Sequence, residues 1–394
     1  MNYILFDTNN WNNLLPLTYT RPVSELRVGI LTIKEKWNNF LNTNISNITK
    51  DYLNTKFKTR IEEENILINS SIIPNQKLVE QINKLEINQI LEKEGLIIAL
   101  KLNKKATEQF NFEEINLSSK KEFEGEFTEI KNTWDIFSKN KDEIKNDFIL
   151  ITKGRKSEKI SKTNKVFETE NIFIEKGAKI ECAILNPDGG YIYIGKNAEI
   201  MEGSIVRGSL AMCENSVLKL ATKIYGATTI GPFSKVGGEI NNCVITGYSS
   251  KAHDGFLGNS VLGEWCNIGA DTNNSNLKNN YAEVRLWDYG SGRFAKTGLQ
   301  FCGLIMGDHS KCGINTMFNT GTVIGVSANI YGSGFPRNFV PSFSWGGAAG
   351  FTEYKLNKVF EVAEIVMKRR NLELSQTEKD ILSHVFEISQ KWRK

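Results

Sequence analysis

The stretch Ile194–Val236, IGKNAEIMEGSIVRGSLAMCENSVLKLATKIYGATTIGPFSKV, decides the fold. Its every sixth residue is Ile194, Ile200, Val206, Met212, Leu218, Ile224, Ile230 and Val236, all aliphatic or thioether. Four places after each of the first seven stand Ala198, Ser204, Leu210, Ser216, Thr222, Thr228 and Ser234, all small except Leu210. A period of six fits neither an amphipathic helix nor the two-residue alternation of a strand. It marks a hexapeptide-repeat parallel β-helix, in which each hexapeptide supplies a short strand and a corner and three complete a triangular coil. One coil buries too little apolar surface to offset the ordering of its own backbone, so several must form together.

Working outward, the repeats begin at Ile174, with Ala178, and at Ile180, and Asn186–Gly190 is a turn or small insertion. After Val236 the period is lost through Gly237–Gly255. It returns at Leu257-Gly258, Leu262-Gly263 and Ile268-Gly269, and again from Met306-Gly307 to Ile324-Gly325. The intervening residues 271–304 are too polar and irregular for a coil and are expected as an inserted loop; such insertions often carry binding function. Residues 166–350 are therefore assigned to the β-helix. Residues 351–394 show two amphipathic helical faces, Leu356–Val366 and Ile381–Ile388, the second preceded by a Ser375-x-x-Glu378 capping box. They are expected to cap the open end of the solenoid.

Residues 1–165 lack the period. Strands are expected at Tyr3–Asp7, Asn65–Asn69 and Gly95–Leu100, and helices over Val28–Phe40 and Leu78–Leu85. Apolar runs alternating with helices predict an α/β domain with a parallel or mixed sheet covered on both sides.

Net charge is only +4, with Lys and Arg scattered, so no nucleic-acid partner is expected. No run approaches the length of a transmembrane helix, and MNYILFDTNNWNN has no basic region leading into an apolar core, so neither membrane nor secretory signal is expected. The 6 cysteines contain no CxxC pair, which favours reduced, packed thiols and a cytoplasmic location.

Three histidines are present. His384 falls in the terminal helical pattern and His309 at a non-core position of a hexapeptide, so both are expected on the outside. His253 sits in the irregular run before Leu257, beside Asp254. An imidazole that titrates near neutrality is the natural base for taking a proton from an amine or hydroxyl. A loop histidine bonded to a backbone carbonyl is the other reading, and the residues alone leave both open. A zinc site of three converging histidines, as in β-helical carbonic anhydrases, fits poorly with His384 in a terminal helix.

Two segments carry a family resemblance. Leu14–Pro22, LLPLTYTRP, resembles the PLT-x-x-RP segment of sugar-phosphate nucleotidyltransferases. That family binds a nucleoside triphosphate on a glycine-rich loop just before it. Here Phe6–Trp11 has no glycine, Val23 stands where a lysine usually follows, and the family's Mg²⁺-binding aspartate falls near Asn69 or Ser70. Mg²⁺ and a nucleoside triphosphate are expected only if this domain is active. Arg21 and Arg27 are candidates for holding phosphate, pairing with acids such as Glu25 being the alternative.

The second segment comprises Ser250-Lys251-Ala252-His253, Leu257-Gly258, Gly263, Asn267-Ile268-Gly269-Ala270 and Thr272–Asn276. It closely resembles the acetyltransferase domain of the bifunctional glucosamine-1-phosphate N-acetyltransferase / N-acetylglucosamine-1-phosphate uridylyltransferase family. The whole chain looks most like a divergent, Bacteroidetes-type branch. The resemblance implies a nucleotidyltransferase-like, Rossmann-like domain followed by a left-handed β-helix. It implies acetyl-CoA as co-substrate, a sugar phosphate or nucleotide-sugar as acceptor, and a homotrimer with sites between prisms. Carried over residue by residue, His253 is the catalytic base with Asp254 orienting it, and Lys251, Phe256, Asn267 and Asn276 bind substrate. Ala270 lies at the acyl-CoA, with Arg285, Trp287 and Arg293 of the excursion suited to its phosphates and flat ring; ordinary packing of that loop is the other reading. Phe256 replaces the family's tyrosine, Asn241 and Asn242 its paired lysines, and Tyr225 its phosphate-binding arginine. Those replacements raise the rival of an inactive nucleotide-sugar-binding or scaffold protein of the same fold.

Overall fold

The period of six becomes three parallel walls. In the computed structural model, which describes residues 1–115 and 119–393, the first wall runs through nine strands from Ile172–Ile174 to Phe339–Val340. The second wall opens at Lys179–Ile180 and the third at Lys165–Val166. Ile192 pairs with Leu210 and Leu210 with Thr228, steps of eighteen residues. All eight period-six residues are at most 2% exposed and form one continuous core. The small partners turn the corners. Ser216 Oγ donates to the Cys213 carbonyl at 2.7 Å and Thr222 Oγ1 to Lys219 at 2.6 Å, so each hydroxyl satisfies a corner carbonyl three residues back. The expected left-handed β-helix is therefore present, following a mixed α/β sheet.

Where the period is lost, the coils shorten and the winding continues. Thr229 pairs with Val244 and Val244 with Val261, steps of fifteen and seventeen. The run expected as an irregular loop contains a second-wall strand, Ser250–Lys251, and a corner. The excursion also starts later than expected: Asn273–Asn274 pair with Met317–Phe318 in the third wall. The insertion proper is closed by the Leu277–Phe301 bridge and carries the hairpin Arg285–Asp288/Arg293–Lys296.

By contact density the chain divides into one unit of Met1–Leu14, Thr20–Leu26 and Leu31–Asn132 and a second of Leu15–Tyr19, Arg27–Ile30 and Thr133–Lys394. In the second unit, a helix over Asn140–Thr152 covers the outer face of the first wall. Asn140 Nδ2 donates to the Ala227 carbonyl, and its Oδ1 accepts from Thr229 Oγ1. Sequence reading missed this helix, whose apolar face is narrow. Val28–Ile30 are not helical as expected. Gly29 has φ +85°, and its N–H and that of Ile30 are held by Asn140 Oδ1 and Asp147 Oδ2. A Cβ at Gly29 would stand 2.5 Å from Asp147 Oδ2, so a tertiary contact overrides the helical pattern here.

The C-terminal helices are Leu356–Lys368 and Gln376–Ile388, and the Ser375/Glu378 capping box forms in both directions. Ala363 and Met367 pack on Trp265, at the corner between first and second walls. There Phe233, Tyr248, Trp265 and His309 stack coil upon coil, all with positive φ. The helices thus cover the side of the prism at this ladder. The second wall itself ends in the antiparallel turn-back Ser344–Gly347/Gly350–Glu353, which closes the edge.

The first unit is a six-stranded mixed sheet in the order Ser46–Ile48, Asn2–Phe6, Glu64–Asn69, Leu96–Asn103, Gln89–Lys93, Ser119–Glu122. Leu96–Asn103 runs antiparallel to both its neighbours. The helix Ile33–Leu41 starts at a Thr32/Glu35 capping box, and Trp37 is buried with Nε1 donating to the Ile72 carbonyl at 2.8 Å.

Candidate functional site

His253 occupies the corner between the second-wall strand Ser250–Lys251 and the third-wall strand Phe256–Gly258, and both it and Asp254 are exposed. On the preceding coil the same corner is only Gly237-Gly238. A Cβ at Gly238, φ +77°, would stand 2.9 Å from the His253 carbonyl, and one at Gly237 2.4 Å from the Ala252 carbonyl. Those two glycines let the longer corner seat closely and put no side chain of their own beside it. On the following coil Ser250 pairs with Asn267, so Ala270 belongs to the corner of the coil stacked next to that of His253. Asp271 N–H donates to the Asp254 carbonyl at 3.0 Å. Among the described residues no hydrogen bond joins the Asp254 carboxylate to the imidazole, so the expected orienting contact is not made.

Lys251 is not the substrate ligand expected. It is 2% exposed, inside the prism, in register with core Val236. The shortened coil explains this: a fifteen-residue step brings Lys251 to an inward position. Its ammonium donates to the carbonyls of His253 and Asp254, the latter at 3.1 Å, and so pins the corner that carries the imidazole. Burial pushes its pKa down to about 8, against the opposing pull of the Asp254 carboxylate.

Phe256 and Asn276 come together on the third wall. A Cβ at Gly258 would stand 2.5 Å from the tip of the Phe256 ring and 2.7 Å from Asn276 Nδ2, so both side chains lie over that glycine. Asn276 Nδ2 is held by Asn259 Oδ1 at 2.8 Å. Asn267 is exposed on the second wall, one coil on from Ser250. Tyr225, at the position of the family's arginine, is bonded by its hydroxyl to Glu239 Oε1 at 2.6 Å.

The remaining candidates lie elsewhere. The hairpin bearing Arg285, Trp287 and Arg293 packs against first-wall strand Thr322–Ile324, not at the His253 corner. Trp287 stacks on Phe339 at 4.1 Å and 9°, so one face of the ring expected to receive a cofactor is already covered. Arg21 and Arg27 are buried, and Arg27 Nη1 donates to the Ile30 carbonyl. Glu25 pairs with Lys34 at 3.1 Å. His309 belongs to the aromatic ladder and His384 is half-buried in a terminal helix, so the histidines do not converge. No group of three or more His, Cys, Asp and Glu that could hold a metal occurs among the described residues. None of their helices is long and apolar enough to cross a membrane.

In the first unit, Asp7 lies at the carboxyl end of strand Asn2–Phe6, on the wall of a crevice of about 330 Å³. Its oxygens accept from Ser70 Oγ at 2.7 Å, Thr49 Oγ1 at 2.6 Å and the Val23 N–H at 3.1 Å. Desolvation still pushes its carboxyl up to about 6.

Residues 3–156 match the sugar nucleotidyl transferase family. Over 212 residues the chain is 26% identical to a bifunctional sugar-1-phosphate nucleotidylyltransferase/acetyltransferase from Sulfurisphaera tokodaii. The chain is thus similar to known transferases, in its first 156 residues to the nucleotidyl transferase family and over 212 residues to the bifunctional relative. The alignment covers 53% of this chain and 46% of that relative, so the chain spans about half the length of the curated relative it matches. Among solved structures, LpxA, a UDP-N-acetylglucosamine acyltransferase from Bacteroides fragilis, matches at 14% identity over 59% of this chain and 91% of that one, with a TM-score of 0.26. AntD, an N-acyltransferase from Bacillus cereus in complex with dTDP and 3-hydroxybutyryl-CoA, matches at 15% over 53% and 91%, with a TM-score of 0.23. The β-helix itself rests on the strand registers above.

The first unit's strand ends do not fit the Mg²⁺ site that the sequence resemblance implies. Asp7 is engaged through three hydrogen bonds, and Asn69 Oδ1, at the neighbouring strand end, accepts from Ser71 Oγ at 2.8 Å. No nucleotidyl-transfer step is derived from them. Because the folded pKa of Asp7 is raised, its contribution favours folding at low pH and is lost as pH rises from about 4 through about 6. Asp7→Asn is expected to stabilise the first unit by roughly 1–2 kcal/mol at pH 7 and to leave it unchanged at pH 4. Thermal melts at the two pH values, showing equal gains at both, would contradict this.

Proposed function

We propose that the chain is an acyl-CoA-dependent N-acyltransferase acting on an amino-sugar phosphate or nucleotide-sugar. The observation that carries this reading is the exposed His253 imidazole, set on a pinned corner beside the bare Gly237-Gly238 step and next to the stacked corner of Ala270. The acceptor amine attacks the thioester carbonyl while a nitrogen of His253 takes its proton. The tetrahedral oxyanion is held by corner backbone N–H groups, then collapses with the C–S bond breaking, and the thiolate recovers a proton to leave as CoA thiol. Phe256 and Asn276 offer the sugar an aromatic face and an amide on the adjoining wall, and Asn267 a second amide.

The test is release of CoA thiol from acetyl-CoA across a panel of amino-sugar phosphates and amino-sugar nucleotides. The rival, an inactive binding protein, is favoured by Tyr225, whose hydroxyl is bonded to Glu239 where the family places a phosphate-binding arginine. Absence of thiol release across the whole panel would establish the rival. The proposal includes a homotrimer with sites between prisms, supported by the apolar Ile184 and Ile205, 36% and 45% exposed on adjacent third-wall strands. Sedimentation is expected to give three chains per particle; a monomer at all concentrations would remove that part of the proposal.

A further inference from the structure

The inserted hairpin and the C-terminus enclose a cleft of about 710 Å³ within the second unit. Its walls include Arg285, Arg337 and Lys391, all exposed, and the rings of Trp287, Trp392 and Phe294. No carboxylate among the described residues lines it. Among those residues Arg285 and Arg337 have no acidic partner within ion-pair distance. Lys278 also lines it, its ammonium donating to the Glu283 carbonyl at 2.8 Å, and four cations around one cleft repel each other and gain from an anion placed among them.

The aromatic side is pre-built. Trp287 is locked between Phe339, stacked at 4.1 Å, and the edges of Phe294 and Trp392 at 5.4 and 5.6 Å. Phe294 nevertheless stays 42% exposed on the cleft wall. An exposed ring held rigidly beside guanidinium groups suits a ligand with a flat base at one end and phosphate at the other. The volume is within the range of small-molecule sites, about 300–1,000 Å³.

We infer that this cleft is a binding site for a nucleoside phosphate, with the base against Phe294 and the phosphates between Arg285, Arg337 and Lys391. Two sources share that chemistry: the phosphorylated adenosine of coenzyme A, and a nucleoside diphosphate, free or as part of a nucleotide-sugar. The inference does not depend on acyl transfer at His253, because binding is read without an acceptor amine.

The experiment is calorimetric titration of the full chain with coenzyme A, ADP, UDP, adenosine and uridine. At least one phosphorylated ligand is expected to bind ten-fold or more tightly than the bare nucleosides, and more weakly as salt is raised. Tight coenzyme A with weak ADP and UDP assigns the cleft to the acyl donor; tight ADP or UDP assigns it to a nucleotide. Arg285→Glu with Arg337→Glu is expected to raise the Kd at least ten-fold, and Lys391→Glu alone by several-fold. Both arginines are exposed, so the variants keep the fold, checked by circular dichroism. No binding by any phosphorylated ligand, binding equal to that of the nucleosides, or binding indifferent to these reversals overturns the inference.

Discussion

His253→Ala is expected to cut CoA thiol release by a factor on the order of 10²–10⁴, the usual worth of a positioned general base. The imidazole is exposed and none of the described residues bonds to it, so the substitution removes a proton acceptor without opening a cavity or orphaning a partner. Its effect on stability is accordingly expected to stay within about 0.5 kcal/mol. The loss should fall in kcat, since Phe256 and Asn276, proposed to face the sugar, stay over Gly258 and beside Asn259. A variant within two-fold of wild type would mean the base lies elsewhere.

Lys251→Met carries the second large effect, in two parts. The folded pKa of Lys251 is lowered from 10.5 to about 8, so between those values the unfolded chain holds a proton that the folded one has released. Stability therefore rises with pH through that window, by at most about 3 kcal/mol from this group. The methionine variant should lack the rise, visible as a wild-type-minus-variant difference that grows from pH 8 to pH 10. The other part concerns the corner. The His253 carbonyl would lose the ammonium that donates to it, and an unsatisfied buried carbonyl costs about 1–3 kcal/mol. Acyl transfer is expected to fall roughly ten-fold in kcat with KM little changed, since one misplaced group weakens catalysis without touching substrate. An unaltered kcat, or a KM effect alone, would show that Lys251 is only core filling.

Much of this was readable from residues. The sixfold spacing identifies the prism because inside and outside alternate with the chain's own geometry, and the Ser375/Glu378 box marks a helix start through groups three residues apart. The site residues were a harder case. His253, Ala270, Phe256 and Asn276 do lie at one corner, its stacked neighbour and the adjoining wall, yet Lys251, expected at the substrate, belongs to the core. The signal that could have found this is the pair Gly237-Gly238: two glycines standing where other coils have four corner residues shorten the step and turn Lys251, on the next coil, inward. Trp287 offered no such signal, since its partner Phe339 lies beyond two further coils.

What the sequence by itself determined is the winding: hydrophobic period is a local property, and each coil repeats the burial demanded of the one before. Tertiary structure decided everything that depends on counting across an irregular step or on meeting a distant segment. It turned Lys251 inward, pulled Val28–Ile30 out of a helix and onto Asn140 and Asp147, and joined Arg285 to Arg337 and Lys391 around one cleft. The physical reason is the same in each case. A contact between residues far apart in the chain can outweigh a local preference worth about a kcal/mol or less, and no spacing along the chain records it.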